Sequence, residues 1–314
     1  MPELPEVETI RIGLDQVILN KRIADFDGRD SKVVQFEKKS VLGAKIEKIE
    51  RRAKMLVMEL DNGKAILIHL KMTGQLIWEK SPGDKDFQLR KGRSTRPEGS
   101  PLGLTAEIRQ PSRISGGHPS PDWVAKLPNA YTRAVLHFDD GSVLFFNDLR
   151  RFGYMKLYDK KNIGEIKELA KLGPEPFSKE FTAEYLMRRA AKIPNRKIKQ
   201  FITDQEIISG VGNIYVDEAL FYAKISPLRP VKEIKLSEWK KISDSIIKAL
   251  ELGLKYGGSS EDTYVNAFGN QGEMSNHTKV YRHTGADCPD NCGGTIKRIT
   301  VGGRGTHYCP ACQK

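Results

Sequence analysis

The spacing of hydrophobic residues predicts a helix at the start of the chain and antiparallel strands after it. Val7, Ile10 and Leu14 follow Pro5 at helical spacing. Strand-like apolar runs then occupy 41–52, 54–60, 65–70, 132–138 and 142–149. Turns at 61–63 and 139–141, each ending in glycine, join consecutive runs into hairpins. The first half of the chain is therefore predicted to be rich in strands.

The second half of the chain carries helical patterns instead. Ser237 is a candidate N-cap for the clearest helix, and Gly257-Gly258 end it. One face of that helix is apolar and carries Trp239, Ile242, Ile246, Ala249 and Leu250. From about residue 276 the pattern changes to short strands and turns around four cysteines. A helical domain with a small terminal hairpin follows from this order.

Two segments show neither helical nor strand periodicity, and they divide the chain. Residues 79–115 are rich in Ser, Gly, Pro and charge, which predicts a long surface loop inserted in the first domain. The sequence LGPEP at 172–176 has two prolines that interrupt helices, which predicts a linker between domains. We therefore expect an N-terminal domain at 1–160, a linker at 161–178, a helical domain at 179–275 and a cysteine hairpin at 276–314.

The charge of the chain favours a polyanionic partner. Lys and Arg total 52 against 40 Asp and Glu, a formal net charge of +12. Nucleic acid or an acidic membrane surface would suit this balance, although a merely basic soluble protein remains open. No apolar run approaches the roughly 20 residues of a membrane span, and the N-terminus lacks an apolar signal core. We therefore expect a cytoplasmic protein with no membrane partner.

The four cysteines predict a structural metal site. Cys288 and Cys292 form one pair, Cys309 and Cys312 form the other, and a hairpin-length segment separates the pairs. Four thiolates at this spacing suit one tetrahedral Zn²⁺ and close its coordination shell, so the ion would be structural rather than catalytic. Two disulfides or an iron–sulfur cluster are the alternatives, and a reducing cytoplasm disfavours the disulfides.

The N-terminus carries a candidate nucleophile. Pro2 follows Met1, and a small second residue generally permits removal of the initiator methionine. The secondary amine so exposed would have a pKa near ~8, so it would be partly unprotonated and nucleophilic at neutral pH. Glu3 and Glu6 could then move a proton and hold the amine. The alternative is an ordinary helix start, since Pro and Glu both favour a first turn.

Two further features point to phosphate. The segment 209–213, SGVGN, leads into a helix with Asn213 as a candidate N-cap, and glycines there let phosphate approach backbone N–H groups. Lys199 adds positive charge just before it. Arg304 lies at the tip of the cysteine hairpin, where it could contact phosphate or be an arginine in solvent.

Two turns carry candidate wedge residues. Met72 lies in HLKMTG, and Arg150, Arg151 and Phe152 lie in NDLRRFG. An enzyme that extrudes a base from duplex DNA fills the vacated space with such apolar or arginine side chains. From composition alone, Met72 and Phe152 are predicted to be core residues instead.

These motifs together resemble the formamidopyrimidine-DNA glycosylases nearly end to end. The matching segments are MPELPEVET at 1–9, RRAKMLVMEL at 51–60, HLKMTGQL at 69–76, NDLRRFG at 147–153, LGPEP at 172–176, SGVGNIYVDEALF at 209–221, VYRHTG at 280–285 and GGRGTHYCPACQK at 302–314. The sister family of endonuclease VIII type usually has glycine where Leu4 stands, so the oxidised-purine branch is favoured.

The resemblance implies an α+β fold of two domains. A β-sandwich with flanking helices would be followed by a helical domain with a helix–two-turn–helix motif and a zinc-bound β-hairpin. It also implies a monomeric DNA repair enzyme, associated with the nucleoid, that needs no small-molecule cofactor. Its partner would be double-stranded DNA with 8-oxoguanine, formamidopyrimidines or abasic sites, cleaved by β,δ-elimination.

The resemblance also assigns roles to residues. Pro2 would be the Schiff-base nucleophile, Glu3 its acid/base partner and Glu6 a further carboxylate of the active site. Met72, Arg150 and Phe152 would fill the void, with Arg151 beside them on the DNA. The residues expected to bind phosphates around the lesion are Lys54, His69, Lys199, Asn213 and Arg304, of which Lys54 and Arg304 also count as catalytic.

The chain departs from the family pattern in three places. Three residues rather than two separate Cys288 from Cys292, so the turn between these ligands must differ. Ala130 and Tyr131 stand where relatives often have Lys-His, which puts one phosphate contact in doubt. Residues 79–115 are the insertion already noted. A DNA-binding protein without catalysis and an enzyme for oxidised pyrimidines are the competing hypotheses.

Overall fold

The computed structural model describes residues 1–80, 113–117, 126–259 and 272–314. The chain divides into two compact units. Met1–Ile166 and Leu254–Glu273 form the N-terminal unit, and Lys167–Gly253 and Met274–Lys314 form the C-terminal unit. Among the described helices, none combines the length and the apolar composition that crossing a membrane would require.

Ten strands are described in the N-terminal unit, after the helix α1 at Leu4–Ile18. They are β1 Ile23–Gly28, β2 Val34–Gln35, β3 Ile46–Arg52, β4 Met55–Leu60, β5 Lys64–His69, β6 Gly74–Glu79, β7 Arg113–Gly117, β8 Thr132–Phe138, β9 Val143–Asp148 and β10 Tyr154–Asp159. One sheet has the order β1-β8-β9-β6-β7 and the other β2-β10-β5-β4-β3. The short β2 runs parallel to β10, and the other pairings described are antiparallel.

One apolar core lies between the two sheets. Alternate residues of the strands point into it, as Leu56 and Met58 of β4 and Leu76 and Trp78 of β6 do. The helix α1 adds its own apolar face to the same cluster. The predicted β-sandwich is confirmed, because period-two alternation buries one face of each sheet against the other.

The predicted loop at 79–115 is too long at both ends. Glu79 is the last residue of β6, and it pairs with Arg113 at the start of β7. β7 has the sequence RISGG, which has no alternation of apolar residues, so backbone pairing with β6 forms this strand without a signal in the side-chain pattern. Residues 81–112 of the predicted loop lie outside the described residues.

The second half is helical, as its periodicity indicates. Its helices are α2 Lys167–Ala170, α3 Ala183–Ala190, α4 Ile198–Ile202, α5 Asn213–Ala223 and α6 Leu236–Lys255, and its strands are β11 Lys297–Val301 and β12 Arg304–Tyr308. The five apolar residues predicted on one face of α6 are all buried, which confirms that prediction. The helix begins at Leu236, so Ser237 lies inside it rather than at its cap.

The segment 172–176 is part of the C-terminal unit rather than a free connection. The backbone N–H of Gly173 donates to the carbonyl of Gln205 at 2.8 Å, and the N–H of Ser209 donates to the carbonyl of Pro174 at 3.1 Å. The division between units falls after Ile166, earlier than the end of the predicted linker. Residues 254–273 also join the N-terminal unit, although the sequence placed them in the helical domain. Long-range hydrogen bonds of this kind leave no periodic signal.

Candidate catalytic and DNA-binding sites

The candidate nucleophile lies at the start of α1. Pro2, Glu3 and Glu6 are all buried there, and Glu3 is the N-cap of the helix. A carboxylate oxygen of Glu6 accepts a hydrogen bond from the backbone N–H of Glu3 at 2.8 Å, and its other oxygen accepts one from the N–H of Ser259 at 2.8 Å. Glu6 therefore fixes the backbone next to Pro2, and two carboxylates stand at the positive end of a helix.

A cluster of basic groups surrounds His69 in the same unit. Burial, together with the charges of Lys71 and Lys54, lowers the pKa of His69 to about 3. The Nδ1 atom of His69 accepts the backbone N–H of Lys71 at 3.1 Å, which assigns the ring proton to Nε2. His69 would therefore meet a phosphate as a neutral N–H donor rather than as a cation.

Lys71 is a candidate site residue that the sequence analysis did not name. Its backbone is left-handed, with φ 53°, and burial followed by the charge of Lys156 lowers the pKa of its ammonium group. Lys71 directly precedes Met72 in HLKMTG, so its place in that motif was the available signal.

The candidate wedge residues stand at the surface. Met72 is 44% exposed and Phe152 is 50% exposed, so the prediction from composition that both are core residues is wrong. The guanidinium carbon of Arg150 lies 4.8 Å from the centre of the Phe152 ring. At the surface these side chains are available to contact a partner, as wedge residues must be.

The two turns that carry these residues are bonded to each other. The backbone N–H of Arg150 donates to the Thr73 hydroxyl at 3.0 Å and to the Asp148 carboxylate at 3.2 Å. The Thr73 hydroxyl in turn donates to Asp148, which is fully buried. Met72 and Arg150 are therefore presented by one bonded surface rather than by two independent loops.

Lys199 is buried in the C-terminal unit, with 1% of its surface exposed. Its ammonium group donates to Asp217 at 2.7 Å, to the Thr306 hydroxyl at 2.8 Å and to the Gly305 carbonyl at 3.1 Å. An ammonium group has three protons, and these bonds use all of them. In this arrangement Lys199 ties α4 and α5 to the hairpin, and contact with a phosphate would require some of these bonds to be exchanged.

Asp217 and Asn213 bind the same hairpin. Asp217 accepts the backbone N–H of His307 at 2.8 Å, and the Asn213 amide donates to the Gly305 carbonyl at 3.0 Å. The N-cap of α5 is Gly212, with extended backbone, and Asn213 is the first helical residue, so the capping prediction for Asn213 is wrong. Its side chain contacts the hairpin instead of capping the helix.

Glu218 anchors the chain that leads to the cysteines. Its carboxylate accepts the backbone N–H groups of Lys279, Val280 and Tyr281 at 2.7, 3.0 and 2.9 Å. Burial raises the pKa of Glu218, and these three bonds oppose that rise. Asp217 and Glu218 both lie past the first turn of α5 and make tertiary contacts.

Arg304 is exposed at the tip of the hairpin, as predicted. Gly302 and Gly303 both have positive φ, 57° and 75°, and form a two-residue turn between Val301 and Arg304. A Cβ on Gly302 would lie 2.6 Å from the Gln200 side chain, so glycine permits the hairpin to approach α4.

The four cysteines converge as a metal site requires. Their sulfur atoms all lie within 4.8 Å of one another, with 3.5 Å between Cys292 and Cys309 and 3.8 Å between Cys288 and Cys312. Tetrahedral Zn²⁺ with Zn–S bonds of about 2.3 Å places its sulfurs about 3.8 Å apart. A Cβ on Gly294 would lie 2.9 Å from the sulfur of Cys309, so glycine leaves room for the cluster. The residues fit a zinc ion.

The extra residue between Cys288 and Cys292 is absorbed by a tight turn. Asn291 is left-handed, with φ 53°, and its N–H donates to the Cys288 carbonyl at 2.9 Å. Asp290, within the same turn, pairs with Lys224, whose ammonium nitrogen lies 3.8 Å from the sulfur of Cys312. The altered spacing therefore changes the turn and still brings Cys292 to the cluster.

Three family models cover most of the chain. The formamidopyrimidine-DNA glycosylase N-terminal domain matches residues 1–155, the H2TH domain of the same enzymes matches 172–265, and a zinc finger found in FPG and IleRS matches 288–314. The chain belongs to the formamidopyrimidine-DNA glycosylase family. The strand-rich first domain, the helix–two-turn–helix domain and the zinc finger are thus the parts of this family's fold.

Relatives in this family match over their whole length. The formamidopyrimidine-DNA glycosylases of Streptococcus mutans and Bacillus cereus are each 35% identical to the chain, which is covered in full, over 100% and 99% of their own lengths. A crystal structure of a Lactococcus lactis FPG mutant with Fapy-dG-containing DNA matches with a TM-score of 0.77, 31% identity and full coverage of both chains. Another, of the same bacterium's Fpg with DNA containing an abasic site, matches with a TM-score of 0.77 and 30% identity over 99% of each chain.

Proposed function

We propose that this protein is a bifunctional DNA glycosylase that excises oxidised purines and then cleaves the strand through a Schiff base on Pro2. The observation that carries the proposal is the buried start of α1, where Glu6 fixes the backbone beside Pro2 and Glu3. Membership of the formamidopyrimidine-DNA glycosylase family supports 8-oxoguanine and formamidopyrimidines as the substrates.

The chemistry begins once Met1 has been removed. The Pro2 nitrogen attacks C1′ of the nucleotide, and the electrons of the glycosidic bond leave with the base, which gains a proton. Glu3 moves the proton that opens the sugar, and the product is an iminium ion on Pro2. Loss of a C2′ proton expels the 3′ phosphate, and loss of a C4′ proton then expels the 5′ phosphate. Water finally releases Pro2.

The remaining groups bind and shape the DNA. Extrusion of a base costs a few kcal/mol, and insertion of Met72, Arg150 and Phe152 into the vacated space would offset that cost. Lys54, His69 and Arg304 would bind phosphates around the lesion, and the positive charges of Lys54 and Arg304 would also stabilise the phosphates that leave during elimination. Lys199 and Asn213, which bind the hairpin, would support Arg304 in addition to any direct contact.

One zinc ion on the four cysteines would complete the hairpin. Cys288, Cys292, Cys309 and Cys312 would hold it, and the closed shell would give it a structural role. The apolar cluster around these sulfurs is small, so the metal would supply much of the folding free energy of the hairpin.

Borohydride trapping tests the proposed function. We expect the full-length protein to form a covalent adduct with a duplex containing 8-oxoguanine, because borohydride reduces the iminium to a stable amine. Binding without an adduct would instead favour a DNA-binding protein that has lost catalysis. A parallel duplex containing thymine glycol tests the substrate class, and faster cleavage of that duplex would favour oxidised pyrimidines.

A further inference from the structure

The loop that carries Arg150 and Phe152 makes a second attachment to the protein. It connects β9 to β10, and its middle residue Arg151 has a left-handed backbone with φ 57°, which residues other than glycine adopt at a cost. An exposed loop in this conformation needs support from its surroundings. Asp148 holds both ends of the loop, since its carboxylate accepts the N–H groups of Arg150 and Gly153 at 3.2 and 2.7 Å, and the support for the middle residue lies at Asp30.

Asp30 and Arg151 form a two-bond ion pair. The Nε atom of Arg151 donates to one carboxylate oxygen of Asp30 at 2.6 Å, and Nη2 donates to the other at 3.0 Å. The Asp30 side chain is only 6% exposed, whereas that of Arg151 is 50% exposed. A second guanidinium, that of Arg133, lies 3.9 Å from the same carboxylate. A planar pair of this kind fixes orientation as well as distance.

Asp30 is itself held by the framework of the sandwich. Its carbonyl accepts the N–H groups of Val33 and Val34 at 3.0 and 2.8 Å, and its carboxylate accepts the N–H of Lys32 at 3.1 Å. Val34 belongs to β2, which pairs with β10, the strand directly after the wedge loop. Asp30 therefore lies on the segment that connects the two sheets. That segment continues into β2, which is hydrogen-bonded to β10, the strand that follows the loop carrying Arg150 and Phe152.

We propose that Asp30 is a positioning residue for the wedge, and that Arg151 is the protein's own link to it rather than a contact with DNA. Arg150 and Phe152 flank Arg151 in the chain, so the ion pair sets the direction in which both side chains leave the surface. Lys32, whose ammonium nitrogen is 6.0 Å from the Phe152 ring, faces the same group. The inference rests on the proposed function, because a wedge matters only where a base is extruded.

The test compares duplex DNA with single-stranded DNA. A single strand with an abasic site has no stack to enter, so its cleavage needs the nucleophile and not the wedge. We expect Asp30→Asn to lower single-turnover excision from a lesion duplex by about tenfold or more, since a displacement near 1 Å can cost up to about 100-fold. Cleavage of the single-stranded abasic oligonucleotide should stay within about twofold of the wild type.

Arg151→Met and the variant that combines Asp30→Asn with Arg151→Met complete a double-mutant cycle. If the ion pair acts as one unit, Arg151→Met should lower duplex excision as Asp30→Asn does, and the double variant should be no slower than either. The matched control is Asp27→Asn, because Asp27 pairs with Arg29 at 2.6 Å on the exposed surface. It should leave duplex excision unchanged.

Three results would overturn the inference. Asp30→Asn could excise from the duplex as fast as the wild type, or the two losses could add in the double variant. Alternatively, Arg151→Met alone could weaken duplex binding and reduce its salt dependence, which would make Arg151 a phosphate contact. Should Asp30→Asn fail to fold, Arg151→Met carries the test, because its side chain is half-exposed. A wild type that cleaves neither substrate would refute the proposed function itself.

Discussion

In the N-terminal unit the candidate catalytic groups stand on a helix that packs into a large apolar core, whereas in the C-terminal unit Arg304 stands on a hairpin held by cysteines and buried charges. The first core draws on α1 and both sheets. The apolar cluster around the hairpin is much smaller, with Phe221, Val280 and Ile296 beside the cysteines. The two units therefore present functional groups with different sources of stability.

This difference determines how each unit should respond to change. Burial of apolar surface is spread over many side chains, so the loss of one contact weakens such a core gradually. A metal site or a buried ion pair concentrates its stabilising free energy in a few atoms, so loss of one partner leaves an unpaired charge in the protein interior. We expect the activity of the first unit to be lost only when a catalytic residue itself is substituted. We expect the DNA contacts of the second unit to be lost also when the metal site or the buried ion pair that supports them is removed.

The largest effect is expected at the nucleophile. Pro2→Gly should lower strand cleavage and the borohydride-trapped adduct by at least about 100-fold, because the secondary amine is lost while the core under α1 is intact. Duplex binding should persist within a few-fold. Rates on an abasic duplex, measured at saturating protein, check this, and mass spectrometry should find Met1 absent from active wild type.

Pro5→Ala is the matched control for that variant, since it changes a buried proline in the same helix and leaves the amine in place. It should cleave at nearly the wild-type rate. Strand cleavage by Pro2→Gly at the wild-type rate would show that the secondary amine of proline is not required, since the primary amine of glycine would then serve equally well.

Metal removal should separate the two units. A chelator, or Cys292→Ser, should release the ion and disorder β11 and β12, and duplex binding should weaken by about tenfold or more. Amide protons of α1 and of the sandwich strands should keep their slow exchange, because the core that protects them lies within the N-terminal unit.

Hydrogen exchange with and without the chelator measures both responses in the same sample. Faster exchange throughout the sandwich would contradict the contrast between the units. The matched variant is Ser275→Ala, outside the cysteine cluster, which should retain the metal.

Loss of a buried lysine should lower the free energy of unfolding far more than loss of an exposed one. Lys199→Met leaves Asp217 buried without its cation, so it should lower the free energy of unfolding of the C-terminal unit by about 3–5 kcal/mol. Lys240→Met removes the exposed pair with Asp244 on α6 and should cost less than about 1 kcal/mol. Urea unfolding monitored in the C-terminal unit measures both values.

Salt dependence then distinguishes support from direct contact. A lysine that neutralises a phosphate contributes about one to the slope of log affinity against log salt. If Lys199 binds phosphate, Lys199→Met reduces that slope, and if it supports the hairpin, the slope stays while the fold weakens. Equal stability of Lys199→Met and Lys240→Met would show that the ion pair is not a support.

The smallest effect concerns His69 and pH. Its folded pKa of about 3 lies below the ordinary value of 6.5, so the unfolded chain binds a proton that the folded protein excludes. Stability should therefore fall as pH drops below about 6.5, by up to about 1.4 kcal/mol for each pH unit. His69→Asn, which keeps an acceptor for the Lys71 N–H, should flatten this dependence between pH 6.5 and 5.

Urea midpoints across that pH range give the measurement, and His137→Asn, on the exposed side of β8, is the matched control. An unchanged pH dependence in His69→Asn would mean that the folded and unfolded proteins bind the imidazole proton equally.

The sequence by itself determined the secondary structure and the list of chemical groups. Alternation and helical spacing predicted α1, the long strands and the apolar face of α6, because these periods report which side chains leave water. Cysteine spacing predicted a metal site, and the motifs at both ends identified the family. Such features depend on residues that lie close together in the sequence, so the sequence alone reveals them.

The tertiary structure decided exposure, partners and boundaries. Composition predicted Met72 and Phe152 in the core, but hydrogen bonds between two turns hold them at the surface. Lys199 looked like a phosphate ligand, yet Asp217 and the hairpin use its protons. Asp30 carried no signal at all, since Arg151 lies 121 residues away. A residue's burial and partners depend on distant chain segments, and no local period encodes them.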